Sequence, residues 1–150
     1  MNIFAMLKKD HDKVKELFKR FKMAEGQPLN PRRQIAEQIF RELEVHSRVE
    51  EEIFYPKLEK ALDKPGAGLV QEAIEEHRLV KEMIEGLRKL TLDDVGFPAK
   101  FDALKESVLQ HIDKEEGELF PQAKEILKES ESEDTGKTQR GPENWVFSTR

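Results

Sequence analysis

An all-α, antiparallel up-down four-helix bundle is the fold class this 150-residue sequence predicts, and three observations predict it. Apolar residues recur at three- and four-residue steps in four separated segments. Charged residues make up 38% of the chain and aromatics only 7%, a mixture that suits helices with a dense ionic exterior and argues against a β-sandwich. The second half of the chain also repeats the first. Asp10-His11-Asp12-Lys13-Val14-Lys15-Glu16 returns as Glu76-His77-Arg78-Leu79-Val80-Lys81-Glu82, so the bundle reads as an internally duplicated helical hairpin.

The first helix is expected from about Asn2 to Ala24, where Phe4, Leu7, His11, Val14 and Phe18 share a face. Gly26-Gln27-Pro28 breaks it, and Asn30-Pro31 is expected to open the second helix as an N-cap followed by a first-turn proline. Helix two carries Ile35, Ile39, Leu43, His46, Glu50 and Ile53 on one stripe. Pro56 is expected to kink or end it, because proline gives no N–H to the carbonyl of Glu52 and crowds that turn. A short helical continuation to about Leu62 follows, and Asp63-Lys64-Pro65-Gly66 reads as a turn.

Helix three is expected from about Gly68 to Leu90, with Val70, Ile74, His77, Ile84 and Leu87 inward. Thr91 to Phe97 breaks the chain again, and Phe97-Pro98 starts helix four. Its stripe holds Phe101, Leu104, Val108, His111, Glu115 and Leu119 and ends near Leu127, with a second kink at Pro121. The bundle is therefore assigned to residues 1–128. Residues 129–150, rich in Ser, Glu and Thr, are assigned to a solvated C-terminal tail that carries Trp145, the one tryptophan of the chain.

Composition also narrows the function. A net charge of −5 with interspersed signs leaves no basic stripe, so nucleic acid is not an expected partner. With no cysteine, disulfides, thiolate metal sites and a cysteine nucleophile are excluded. No run approaches the roughly 20 apolar residues of a membrane span, and Met1 to Lys9 is too quickly charged for a secretory signal. The expectation is a cytoplasmic protein without a membrane anchor, either monomer or homodimer.

All four histidines belong to the repeat. His11 and His77 lead, 35 and 34 residues later, to His46-x-x-x-Glu50 and His111-x-x-x-Glu115. Each of these is closed by an aromatic-proline pair, Tyr55-Pro56 and Phe120-Pro121. Residues four apart lie on one helical face, so His46 with Glu50 and His111 with Glu115 each present two donors side by side. Each histidine shares its stripe with aliphatics and points to the common core. Carboxylates on that face could not stay ionised alone, since desolvation costs several kcal/mol, roughly, or forces protonation. Two divalent cations remove the conflict. The symmetry assigns His11 and His46 to one metal, His77 and His111 to the other, and Glu50 and Glu115 as bridges. Nitrogen and oxygen donors without thiolate favour two Fe ions, with Mn or Zn also able to bind.

The pattern of His11, His46-x-x-x-Glu50, His77 and His111-x-x-x-Glu115 resembles the hemerythrin-like, or HHE cation-binding, family over residues 1 to about 128. The resemblance implies a carboxylate-bridged non-haem diiron centre in the bundle. It also implies roles in O₂ or iron sensing or binding, peroxide or NO handling, or iron delivery and iron-centre repair. This sequence departs from the oxygen-carrying pattern: the position four residues before His77 is Ala73 rather than a further histidine, and Lys81 is no substitute. Glu115 stands where oxygen carriers usually place an Asp one residue further on. The open coordination position turns the expectation from reversible O₂ carriage to reactive or sensing roles. A metal-binding or sensing protein is expected over a dedicated enzyme. The alternative from a different class is a metal-free helical interaction module using an acidic face and the Trp145 tail.

Other conspicuous residues have plainer readings. Glu51, Glu52, Glu116 and Glu118 are expected on a solvated acidic face amid abundant Lys and Arg. Tyr55 and Phe120 are expected to pack at the proline kinks, and Met83 to fill core.

Overall fold

Asn2 begins the fold: its side-chain oxygen accepts the backbone N–H of Ala5 at 2.9 Å, satisfying one of the unpaired donors that every helix start exposes. The computed structural model describes residues 2–61 and 64–127. Helix α1 (Ile3–Met23) ends in a turn through Gly26, whose φ of 85° lies in the left-handed region that glycine tolerates. Helix α2 (Leu29–Val49) begins one residue before the expected cap. Pro28 precedes it with extended backbone, and no side chain caps it. Asn30 is therefore inside the helix, and Pro31 occupies its first turn, where a missing N–H breaks no bond.

Pro56 and Pro121 do not end their helices. The backbone stays helical through two π-turns, Glu50–Phe54 and Glu115–Leu119, and resumes as α3 (Tyr55–Ala61) and α6 (Phe120–Leu127). In each, the residue before proline donates its N–H five residues back, Tyr55 to Glu50 and Phe120 to Glu115. One extra residue in the turn moves the preceding carbonyl away from the proline ring, so the helix widens instead of breaking. Helix α4 (Lys64–Arg88) starts earlier than expected and takes Pro65 and Gly66 into its first turn, a position proline tolerates. Asp63 lies outside the described residues, as does the 128–150 segment with Trp145. A turn held by Thr91 N–H donating to Asp94 Oδ2 at 2.8 Å leads into α5 (Phe97–Lys114), which opens at Phe97-Pro98 as expected.

The two hairpins, α1 with α2 and α4 with α5, meet along α1/α5 and α2/α4 and form the up-down four-helix bundle. Their apolar stripes build two clusters. One gathers Ile3, Phe4, Leu7, Phe54, Leu58 and Phe120, and the other Phe18, Ile39, Phe40, Ile84, Phe101 and Leu104. Along α1, Leu7 belongs to the first and Val14 to the second, with Asp10 and His11 between them. The polar layer is thus set between two dry plugs. Among the described residues no helix is long and apolar enough to cross a membrane.

Candidate metal centre

That layer collects every sequence-predicted ligand. His11, His46, Glu50, His77, His111 and Glu115 are all buried, Glu50 completely. Their ligand atoms form two groups, His11, His46, Glu50, Glu115 and Glu50, His77, His111, Glu115, each lying within 4.8 Å of one another. Both carboxylates belong to both groups. Glu50 Oε1 is 3.3 Å from His46 Nε2 and 3.1 Å from His77 Nε2. Glu115 reaches the other way, Oε1 to His11 Nε2 at 3.1 Å and Oε2 to His111 Nε2 at 3.5 Å.

The imidazoles face one another through the same nitrogen. His11 and His46 bring their Nε2 atoms to 3.0 Å, and His77 and His111 theirs to 3.1 Å. Each Nδ1 is taken by a carboxylate: His11 donates to Glu116 at 2.7 Å, His46 to Asp10 at 3.0 Å, His77 to Glu51 at 2.6 Å and His111 to Glu76 at 2.6 Å. A carboxylate only accepts, so Nδ1 carries the proton and a neutral ring turns its Nε2 lone pair inward. Facing lone pairs repel unless a proton or a cation sits between them. Both oxygens of Glu50 and Oε1 of Glu115 are buried without a hydrogen-bonding partner. Orphaned carboxylate oxygens and converging imidazoles together fit a cation.

Glu51 and Glu116 are corrections to the sequence reading. Glu51, exposed as expected, and the half-buried Glu116 reach in from that acidic face to hold His77 and His11, whereas Glu52 pairs with exposed Arg48 as expected. The holding follows a rule: the acid directly before the first histidine of a half, Asp10 or Glu76, grips the second histidine of that half. The acid after the bridging-type glutamate, Glu51 or Glu116, grips the first histidine of the opposite half. The signal was present in both copies of the repeat as Asp/Glu-His and Glu-Glu. It is indistinguishable from ordinary surface acid until the helices are docked.

Electrostatics express the same crowding. Burial alone pushes the His46 imidazole down, but Glu50 and Asp10 outweigh it and hold it well above the ordinary value. His111 is likewise raised well above it, burial being overcome by Glu115, Glu50 and Glu76, and His77 is raised by Glu50 and Glu51 against its burial. Burial pushes Glu50 up, and the neighbouring His46, Glu115 and His111 carry it well below the usual carboxylate range.

Two features break the pseudo-symmetry. Tyr55, completely buried, donates its hydroxyl to Glu115 Oε2 at 2.5 Å and lies 3.4 Å from His77 Nε2. Its counterpart Phe120 lies parallel to the His11 ring, centroids 5.9 Å apart. Tyr55 therefore does more than pack at a kink, as was expected of it. Ala73, where a further histidine would stand, leaves a void of about 10 Å³ against His111 and Glu115, room for about one water-sized molecule. A groove of about 580 Å³ between α2 and α4 also reaches the His77–Glu51 pair, an opening that no sequence feature announced.

Two ion-sized positions in the core of a four-helix bundle, each with two imidazoles and sharing two carboxylates, define a cation-binding helical bundle. The chain belongs to the hemerythrin family: the family model described as "Hemerythrin HHE cation binding domain" matches residues 2–123. It is 36% identical over 124 residues to an uncharacterised hemerythrin-like protein of Schizosaccharomyces pombe, covering 83% of this chain and 60% of that protein. It is 29% identical over 136 residues to a DNA nickase of Nostoc, covering 89% of this chain and 36% of that one. The chain thus spans less than two thirds of either relative. The solved structure of a hemerythrin HHE cation binding domain-containing protein from Mycobacterium kansasii superposes with a TM-score of 0.82. That match covers 99% of this chain and 89% of the other, at 24% identity, and the likeness is one of fold.

Proposed function

We propose that this cation-binding domain is a non-haem diiron protein acting on O₂, peroxide or NO as a sensor or detoxifying module. His11 and His46 would hold one iron, His77 and His111 the other, and Glu50 and Glu115 would bridge them. The observation that carries the reading is the pairing of Nε2 atoms at 3.0 and 3.1 Å around carboxylate oxygens that lack any donor. Imidazole and carboxylate donors without sulfur suit iron or manganese. Bound there, two irons supply a redox pair with coordination positions left for a small molecule.

The chain's own residues provide the rest. Asp10, Glu51, Glu76 and Glu116 fix the rings and their tautomers. The apolar clusters on either side exclude bulk water. The Tyr55 hydroxyl, pushed well above its ordinary value by burial and by the charges of Glu50 and Glu115, keeps its proton and holds it at Glu115 Oε2. The void at Ala73 lies beside His111 and Glu115, with room for about one water-sized molecule.

The deciding experiment is anaerobic reconstitution with ferrous iron, followed by air, with iron counted per chain and the absorption spectrum recorded. Two irons per chain and new near-ultraviolet absorption are expected. Sub-stoichiometric iron with an unchanged spectrum would exclude the diiron reading. Replacing Glu50 or Glu115 with Ala is expected to lower iron content while the far-ultraviolet circular dichroism stays helical. Both variants retaining two irons would refute the bridging assignment. Ala73→His is expected to fill the void and slow the reaction of the reduced protein with peroxide in stopped-flow traces, and an unchanged rate would place the open position elsewhere.

A further inference from the structure

The four carboxylates that hold the imidazoles are not equally secured. Glu76 accepts from His111 with Oε1 and from the Lys114 ammonium, at 3.3 Å, with Oε2. Glu116 accepts from His11 with Oε2 while Lys8 stands 4.0 Å from its Oε1. Asp10, which holds His46, is enclosed, its side chain 5% exposed. Glu51 differs on both counts. Its side chain is 41% exposed, and among the described residues it bonds His77 alone. One hydrogen bond that water can replace is the weakest of the four ties.

The same pair stands at the groove of about 580 Å³ between α2 and α4, which Glu51 and His77 both line. His111 and Glu115 line instead the void of about 10 Å³ at Ala73. His11 is 2% exposed and lies parallel to the Phe120 ring, centroids 5.9 Å apart. Apolar clusters close the bundle on either side of the polar layer. A cation does not cross close-packed hydrocarbon, because nothing there replaces the water it must shed. Its path has to run where a ligand can leave its place and where water and oxygen donors reach. The Glu51–His77 pair meets both conditions: the carboxylate is wet, and the groove beside it has room for an imidazole to turn into.

We propose that the α2–α4 groove is the route by which a cation enters and leaves the centre, with His77 as the ligand that swings aside and Glu51 as its latch. The position between His77 and His111 exchanges with solvent, and the position between His11 and His46 is retained. The inference rests on the two-cation reading of the centre and names which of the two positions is exchangeable. Glu51 is a positioning residue that acts through His77. When its hydrogen bond opens, its carboxylate is the first oxygen donor that an arriving cation meets.

The test loads the full chain with ferrous iron under argon, counts the iron, and follows its capture by excess ferrozine. A fast and a slow phase of equal amplitude are expected. Ser47 on α2 and Lys81 on α4 line the groove, so S47W and K81W each narrow it from one wall. Both are expected to slow the fast phase severalfold and to slow iron uptake equally, leaving affinity unchanged, as an obstructed path does and an altered site does not. L79W adds the same indole to α4 at an exposed position outside the groove and is expected to change neither rate. E51A is expected to speed the fast phase by about tenfold or more and to leave the slow phase as it was. E51Q, whose amide oxygen still accepts from Nδ1, should recover most of the difference. If S47W loses helicity, K81W carries the test. Unchanged rates in the folded groove variants, an E51A chain that releases iron no faster or speeds both phases alike, or equal slowing by L79W overturns the proposal. The iron count reports separately on the two-cation reading: a single ion whose release the groove variants still slow keeps the route and removes only the order of exchange.

Discussion

Four carboxylates that coordinate nothing decide how the four imidazoles stand. Asp10, Glu51, Glu76 and Glu116 each take an Nδ1 proton at 2.6 to 3.0 Å, and only with that proton fixed do the Nε2 atoms converge. Removing a partner that orients a metal-binding histidine typically weakens the metal by about 10- to 100-fold. Asp10→Asn and Glu76→Gln are therefore each expected to lower iron affinity on that scale in competition with a chelator, with unchanged helicity. Full retention of affinity in both would mean that the rings are held by packing alone. At this scale the sequence was most informative about chemistry and least about context. The six inward His and Glu residues were legible because the repeat and the four-residue spacing place them on apolar stripes. Their keepers were not, because an acid beside a histidine looks the same on paper whether it meets water or a ring from another helix. Tyr55 was opaque for the same reason, its hydrogen bond to Glu115 joining residues from two different hairpins.

Helix limits were legible to within a few residues at Asn2, Gly26 and Phe97, whereas Pro65-Gly66, read as a turn, lies inside the first turn of α4. The π-turns were not legible. Proline after a long helical stripe argues for a break when only α-geometry is considered, and the wider turn at Glu50–Phe54 and Glu115–Leu119 is a cooperative response of the whole segment. Both π-turns begin at the carboxylates shared by the two donor groups, so the irregularity and the site have the same origin in each half. The α1–α2 connection gives a plainer prediction. Gly26 holds φ of 85° with open space around the position of a Cβ, so Gly26→Ala meets no clash and pays only for backbone strain. A loss of about 1 to 2 kcal/mol is expected. A thermal melt should show a transition lowered by several degrees with iron content unchanged.

The metal-free and metal-loaded molecules should respond to pH in opposite senses. His46, His77 and His111 hold protons more tightly folded than unfolded. The stability they contribute is whole below about pH 6.5 and is lost as pH rises through their raised values. Glu50 holds its proton less tightly when folded, so its contribution is whole above about pH 4.5 and is lost as pH falls through its lowered value. The metal-free chain is therefore expected to be most stable between about pH 4.5 and 6.5 and to melt at progressively lower temperature as pH rises above that window. A divalent cation must displace those protons, so its stabilisation grows with pH and the gap between the two melting curves widens. Calorimetry at three pH values checks both, and a metal-free melting temperature rising steadily above about pH 6.5 would contradict the charge assignment. The bundle and its duplication were readable from the chain because they repeat. The exchange between its halves was not, and that exchange carries a further consequence. Glu51 of the first hairpin grips His77 of the second, and Glu116 of the second grips His11 of the first. One hairpin on its own would lack a keeper for one of its two imidazoles, and could recover it only from a twin. The repeat is thus a dimer written into one chain, and a cut between α3 and α4 should yield two fragments competent only in each other's company.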